Sequence, residues 1–168
     1  PIGGQDVTDN IDTILRRMAD QDGPAAANAA RRLAVCQGSF TREAAAAILD
    51  LPTDSDQVMD LLASLHAHKL IRPERTPTGQ TRYSFEPSLR LMIEPEEDAF
   101  QALYAYYETL ARSKRAQRNL PALQPELPNL EAAFEWALDH DLSAAYWLYN
   151  ACSDFLTESG RHDLRMDW

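Results

Sequence analysis

Basic residues are scarce in this chain: 16 Lys and Arg stand against 26 Asp and Glu, leaving a net charge of −10 and a pI of about 4.8. That field repels nucleic-acid phosphates unless cations gather on one face, so DNA is not an expected partner. Only two cysteines occur, Cys36 and Cys152. Each sits in an apolar helical pattern, where a lone thiol acts as a small core residue, and two make no metal framework. No run approaches the roughly 20 apolar residues of a membrane span, and no secretory leader opens the sequence. A cytoplasmic location away from membranes is therefore expected. The Gly-x-x-x-x-Gly-Lys-Ser/Thr loop that cradles a triphosphate is also missing, so the chain is not expected to bind or split nucleotide unaided. Serines such as Ser64 and Ser88 have no nucleophile context, and no spacing selects a carboxylate pair for acid and base work. No catalytic residue and no metal ligand is assigned.

What is present is a patterned globular chain, 45% hydrophobic and 25% charged over 168 residues, long enough to bury roughly two thirds of its unfolded surface. Its most legible stretch is residues 54–90. Val58, Leu61, Leu62 and Leu65 recur at i, i+3, i+4 and i+7 and predict an amphipathic helix over residues 54–69. Leu70 and Ile71 then enter a strand, Thr76-Pro77-Thr78-Gly79 supplies a tip, and Arg82-Tyr83-Ser84-Phe85 alternates as a return strand. Upstream, Ile11, Ile14, Leu15 and Met18 mark a short helix behind a frayed start over residues 1–10. Gly23-Pro24 breaks it, an alanine-rich helix follows to Val35, and Gln37-Gly38-Ser39 ends that one. Phe40 and Thr41 suit the staple and cap of a helix over residues 42–51, and Asp54 or Ser55 suits the cap of the next. Three helices and a hairpin make a winged helix-turn-helix, with a short helix over residues 88–93 behind it.

From Glu96 the pattern is helix alone. Glu96, Glu97 and Asp98 open a helix that Arg112, Lys114, Arg115 and Arg118 close, as the macrodipole favours. Phe100, Leu103, Tyr104, Tyr107 and Leu110 line its face. Residues 120–128 read as a proline-rich connector. A helical pair follows: Leu130, Ala133, Phe134, Ala137 and Leu138 point inward from one helix, and Ala144, Trp147, Leu148, Ala151, Cys152 and Phe155 from the other. Arg161 to Trp168 reads as the opening of one more helix. A stacked pair cut there leaves an apolar face unpaired, so the chain is expected to be a fragment. The expected organisation is a leader with a short helix (residues 1–23), a winged-helix domain (24–95) and an incomplete helical-hairpin domain (96–168).

These residues resemble a known family. Leu33 through Ala45, reading LAVCQGSFTREAA, resembles the entry to the winged-helix domain of bacterial STAND (NB-ARC-like) signal-transduction ATPases. Leu61-Leu62-Ala63-Ser64-Leu65 with Lys69-Leu70-Ile71 is similar to that family's third helix and its exit. Arg82-Tyr83-Ser84-Phe85 with Leu89-Arg90 resembles the return strand and the helix after it. Residues 129–138, NLEAAFEWAL, are similar to the start of its tetratricopeptide-like sensor. The matches cover residues 30–165 in the family's order. The resemblance implies a mainly α fold, a winged helix followed by a truncated TPR-like array, that couples a sensor to a nucleotide switch. It implies no cofactor in this fragment, ATP or ADP in the parent protein, and as partners the nucleotide-binding domain and further helical repeats. A protein or small-molecule inducer is expected at the repeats. Where relatives carry a Met-His-Asp triplet whose histidine reaches the nucleotide, this chain reads Phe85-Glu86-Pro87. An ionised carboxylate at Glu86 cannot donate to phosphate, which removes the usual means of sensing it.

The rival reading is a stand-alone winged-helix DNA-binding regulator with a dimerising or ligand-binding helical tail. Its recognition helix would present Asp54, Asp56, Asp60, His66, His68 and Lys69, mostly the wrong sign for a groove. Arg72, Arg75 and Arg82 are the residues of the hairpin with which a partner or a phosphate backbone would be met. His66 and His68 lie about 200° apart on a helix and so diverge rather than share an ion. Of the aromatics in the helical half, Tyr106 and Tyr149 lie off the main apolar faces and are the expected contacts for a partner.

Overall fold

The computed structural model describes residues 5–158. The helix expected to open at Arg161 lies outside those residues. Helix α1 (Gln5–Asp22) begins well inside the expected frayed start and buries Ile11, Leu15 and Met18 at i, i+4 and i+7. It stops where Gly23 takes φ 91°, a conformation L side chains rarely adopt, and Pro24 opens α2 (Pro24–Leu33) with its missing N–H at no cost. Phe40 and Thr41 form a two-residue strand, β1 (Phe40–Thr41), that periodicity could not reveal. Thr41 also caps α3 (Arg42–Ile48), its hydroxyl accepting from the Ala44 N–H at 3.2 Å. Ser55, not Asp54, caps α4 (Asp56–Ala67) by accepting from the Gln57 N–H. Val58, Leu62 and Leu65 are buried and Leu61 is half-buried.

Strands β2 (Ile71–Arg75) and β3 (Thr81–Phe85) form the expected hairpin, and β1 adds to it in the antiparallel order β1-β3-β2, with Phe40 opposite Tyr83 and Ile71 opposite Phe85. Pro73 sits in the edge strand β2, where a missing donor is tolerated. The rings of Phe40, Tyr83 and Phe85 pack together with centroids 6.1 and 6.2 Å apart. A four-residue helix, α5 (Pro87–Arg90), leads to α6 (Glu97–Ala116). The proline-rich connector is itself ordered as a 3-10 helix (Leu120–Glu126), running directly into α7 (Leu127–His140) and α8 (Leu142–Glu158).

The fold is mainly helical with one small antiparallel sheet, and no described helix is long and apolar enough to cross a membrane. Buried apolar side chains form one cluster from Ile11 to Leu156, so the element change near Pro95 is not a gap in the core. Two inward assignments are corrected. Trp147 is 54% exposed, because the buried stripe of α8 is Ala145, Leu148, Ala151, Cys152, Phe155 and Leu156, and Trp147 lies one 100° step off Leu148. Its ring instead lies under the Arg112 guanidinium, 5.4 Å from the centroid. Leu138 is 41% exposed, at the rim where α7 gives way to α8.

Candidate functional site

Polar groups are buried where the sheet meets the C-terminal helices. Arg82 on the central strand β3, Glu126 at the end of the 3-10 helix and Asn129 in α7 are at most 6% exposed, and Tyr107 of α6 lies fully buried beside them. The Arg82 guanidinium grips Glu126 with both terminal nitrogens, Nη1 on Oε1 and Nη2 on Oε2, the latter at 2.9 Å. Its remaining donors reach the turn before β1: Nε to Ser39 Oγ at 2.8 Å and Nη2 to the Ser39 carbonyl at 2.7 Å. Tyr107 donates to Glu126 Oε2 at 3.2 Å.

Asn129 completes the knot. Its Nδ2 donates to Tyr107 Oη at 2.8 Å and to the Ser39 carbonyl at 2.9 Å, while its Oδ1 accepts from the Gln37 and Gly38 N–H groups at 2.9 and 3.0 Å. All four hydrogen-bonding capacities of the amide are used. A buried ion pair is tolerable only when its remaining donors and acceptors are met, and here they are met by five segments at once: the turn before β1, β3, α6, the 3-10 helix and α7.

Burial alone would make Arg82 easier to deprotonate, but the hydrogen bonds and charge of Glu126 more than restore it, and the group stays protonated above the usual arginine range. Burial pushes the Tyr107 hydroxyl well above its ordinary value, helped by the charge of Glu126, so it remains a donor. The Cys36 thiol, buried near this knot, is likewise pushed up by desolvation and is inert. Cys152 is pushed up to about 12 for the same reason.

A second clasp joins α2, α3 and the start of α6. Arg32 of α2 donates Nε to the Ile48 carbonyl at the end of α3 and reaches Asp98 and Glu96 at the start of α6 with Nη1, at 2.6 and 3.2 Å. Contact is also tight at Gly38, where a Cβ would meet the Pro128 ring at 3.1 Å. The arrangement offers no nucleophile and base in register; what it does physically is fix the orientation of α6 and α7 on the sheet.

The residues singled out from sequence are scattered. Arg82 is not a free cation of the hairpin: its guanidinium is spent inside the molecule on Glu126 of the 3-10 helix and on Ser39. Arg72 is exposed and pairs with Glu86 at 2.5 Å, and both line a cleft of about 350 Å³ between the turn before β1, the hairpin and α5. Arg75 is exposed and leans back onto the Gly79 carbonyl at 3.4 Å. Tyr106 packs edge-on against Tyr107 and faces a groove shared by the hairpin tip, α6 and the 3-10 helix. Tyr149 lines a separate groove between α7 and α8. His66 and His68 have different partners, the Ile71 carbonyl and Asp22. Sequence reasoning places Tyr107 only on an apolar helix face and Asn129 only within a motif, and it does not single out Glu126. A carboxylate and an amide flanking a proline-rich connector carry no periodic signal. Comparison of the chain with family models, with curated proteins and with solved structures finds no match.

Proposed function

We propose that this chain is a non-catalytic regulatory fragment of a STAND-type signal-transduction ATPase, joining a winged helix to the start of a TPR-like helical sensor and passing state between them by packing. The observation that carries the reading is the buried joint: Arg82, Glu126, Tyr107 and Asn129 hold the hairpin and the helical pair in one orientation. A displacement of α7 therefore moves β3 with it. Three helices followed by a hairpin, α2, α3, α4 and β2–β3, support the winged-helix part, and the antiparallel α7–α8 pair supports the repeat-like part. On this reading the fragment does no chemistry and holds no cofactor; ATP or ADP belongs to the nucleotide-binding domain it packs against.

Direct DNA binding has less support. Of the three hairpin arginines, Arg82 is buried, Arg72 is paired with Glu86 and Arg75 is turned back on its own loop. The reading frame upstream of Pro1 provides the test: it should encode a phosphate-loop ATPase domain. An upstream region without one overturns the proposal, as would tight binding of the chain to duplex DNA that falls steeply with salt.

A further inference from the structure

Helix α8 carries two apolar faces where a surface helix needs one. One is the core stripe. The other continues from α7 as Phe134 and Leu138 and runs along Leu142, Ala145, Tyr146 and Tyr149, which line a groove of about 220 Å³. Leu142 is 72% and Tyr146 61% exposed, and they adjoin one another along the groove rather than standing singly.

The charge on the α7 side of the groove is acidic, whereas on the far side of α8 Arg112 lies over Trp147, whose ring meets Tyr146 edge-on. No Lys or Arg occurs between Arg118 and Arg161. Glu135 and Asp139 are exposed one turn apart on α7, forming an acidic row next to the Phe134 and Leu138 row, and Asp141 stands at the head of α8. Two other carboxylates of the region are held by arginines, Glu126 by Arg82 and Asp154 by Arg115.

We infer that the groove receives an amphipathic helix whose apolar ridge is bordered on one side by Lys or Arg, the ridge filling the α7–α8 groove and the basic flank meeting Glu135 and Asp139. This rests on the helical half being the start of a sensor, as proposed above, and adds the chemistry of what it takes.

Two labelled designed peptides of about 18 residues, about 27 Å long as helices, test it. They share one leucine ridge and differ in carrying Lys or Glu on its flank. The chain should bind the Lys-flanked peptide, more weakly as ionic strength rises, and ignore the other. The double variant Glu135→Lys, Asp139→Lys, at exposed positions and checked for helicity, should lose roughly tenfold for the Lys-flanked peptide and gain the Glu-flanked one. Leu142→Glu should abolish binding. Equal binding of both peptides, or binding of neither, overturns the inference. So does concentration-dependent self-association that Leu142→Glu removes, which would assign the face to a second copy. None of these results bears on whether an ATPase domain lies upstream, so the two proposals fail separately.

Discussion

Arg82 and Glu126 form a pair whose value depends on what is removed. Taking away one charge leaves the other buried without a counter-ion, so Glu126→Gln should lower unfolding free energy by about 3–5 kcal/mol in urea titrations. The double change Arg82→Met, Glu126→Leu removes both charges and should cost less than the two single changes added together; simple additivity would mean that water already screens the pair. A second residue carries strain rather than charge. Lys69 takes φ 62° just past the end of α4, where the Leu70 N–H reaches back to the Leu65 carbonyl, a left-handed helix ending that glycine normally occupies. Its side chain is exposed, so little packing is lost on truncation. Lys69→Gly should therefore raise stability by about 0.5–1 kcal/mol, and Lys69→Val should lower it. A drop in melting temperature for the glycine variant would show that the lysine stem supports the turn.

Elements differ in how plainly the sequence announces them. Helix α4 and the β2–β3 hairpin were legible because 3.6-residue and two-residue periods follow each other there with proline and glycine at the tip. Leu62, 1% exposed between α4 and its neighbours, should on replacement by alanine cost about 2–5 kcal/mol, and an unchanged denaturation midpoint would contradict the assigned face. Strand β1 was not legible, since two residues show no period and its existence depends on β3 lying alongside. The 3-10 helix was hidden for a related reason: Pro121, Pro125 and Pro128 break the α pattern, yet a helix start tolerates proline and short 3-10 turns need few donors. Trp147 departs from the inward face that its spacing predicts, because the buried stripe runs through Leu148 instead and the ring is stable at the surface beneath an arginine. The joint itself was the least readable feature. Its members come from residues 39, 82, 107, 126 and 129, and no local pattern reports that a strand has both faces covered.

The whole molecule is held across long sequence separations by a few exposed carboxylates as well as by its core. Asp22 at the end of α1 accepts from Ser64 of α4 at 2.6 Å and contacts His68 at 3.0 Å; these hydrogen bonds, Ser64 first, hold its pKa below the ordinary 3.8. Asp98 at the start of α6 is held below 3.8 by its hydrogen bond from Arg32 of α2. A carboxyl whose folded pKa is depressed contributes stability that is complete above its unfolded pKa and is lost as pH falls through the folded one. Both contributions should thus be intact at pH 6, begin to fail below about pH 4 and be gone once the pH is below the depressed folded pKa values. Acid first relieves the self-repulsion of a chain carrying −10 at neutrality and then, below the pI of about 4.8, builds positive self-repulsion, so the overall profile mixes these charge effects with the two shifted groups. Comparison with Asp22→Asn, Asp98→Asn separates them, because the double variant keeps nearly all of the repulsion but lacks the two shifted groups. Urea midpoints measured from pH 6 to pH 2.5 should fall more steeply for the native chain than for the variant, the two curves converging in acid. Parallel curves would mean that α1 and α6 are held by the buried core and the Arg82 joint alone, with the surface clasps contributing nothing to the fold.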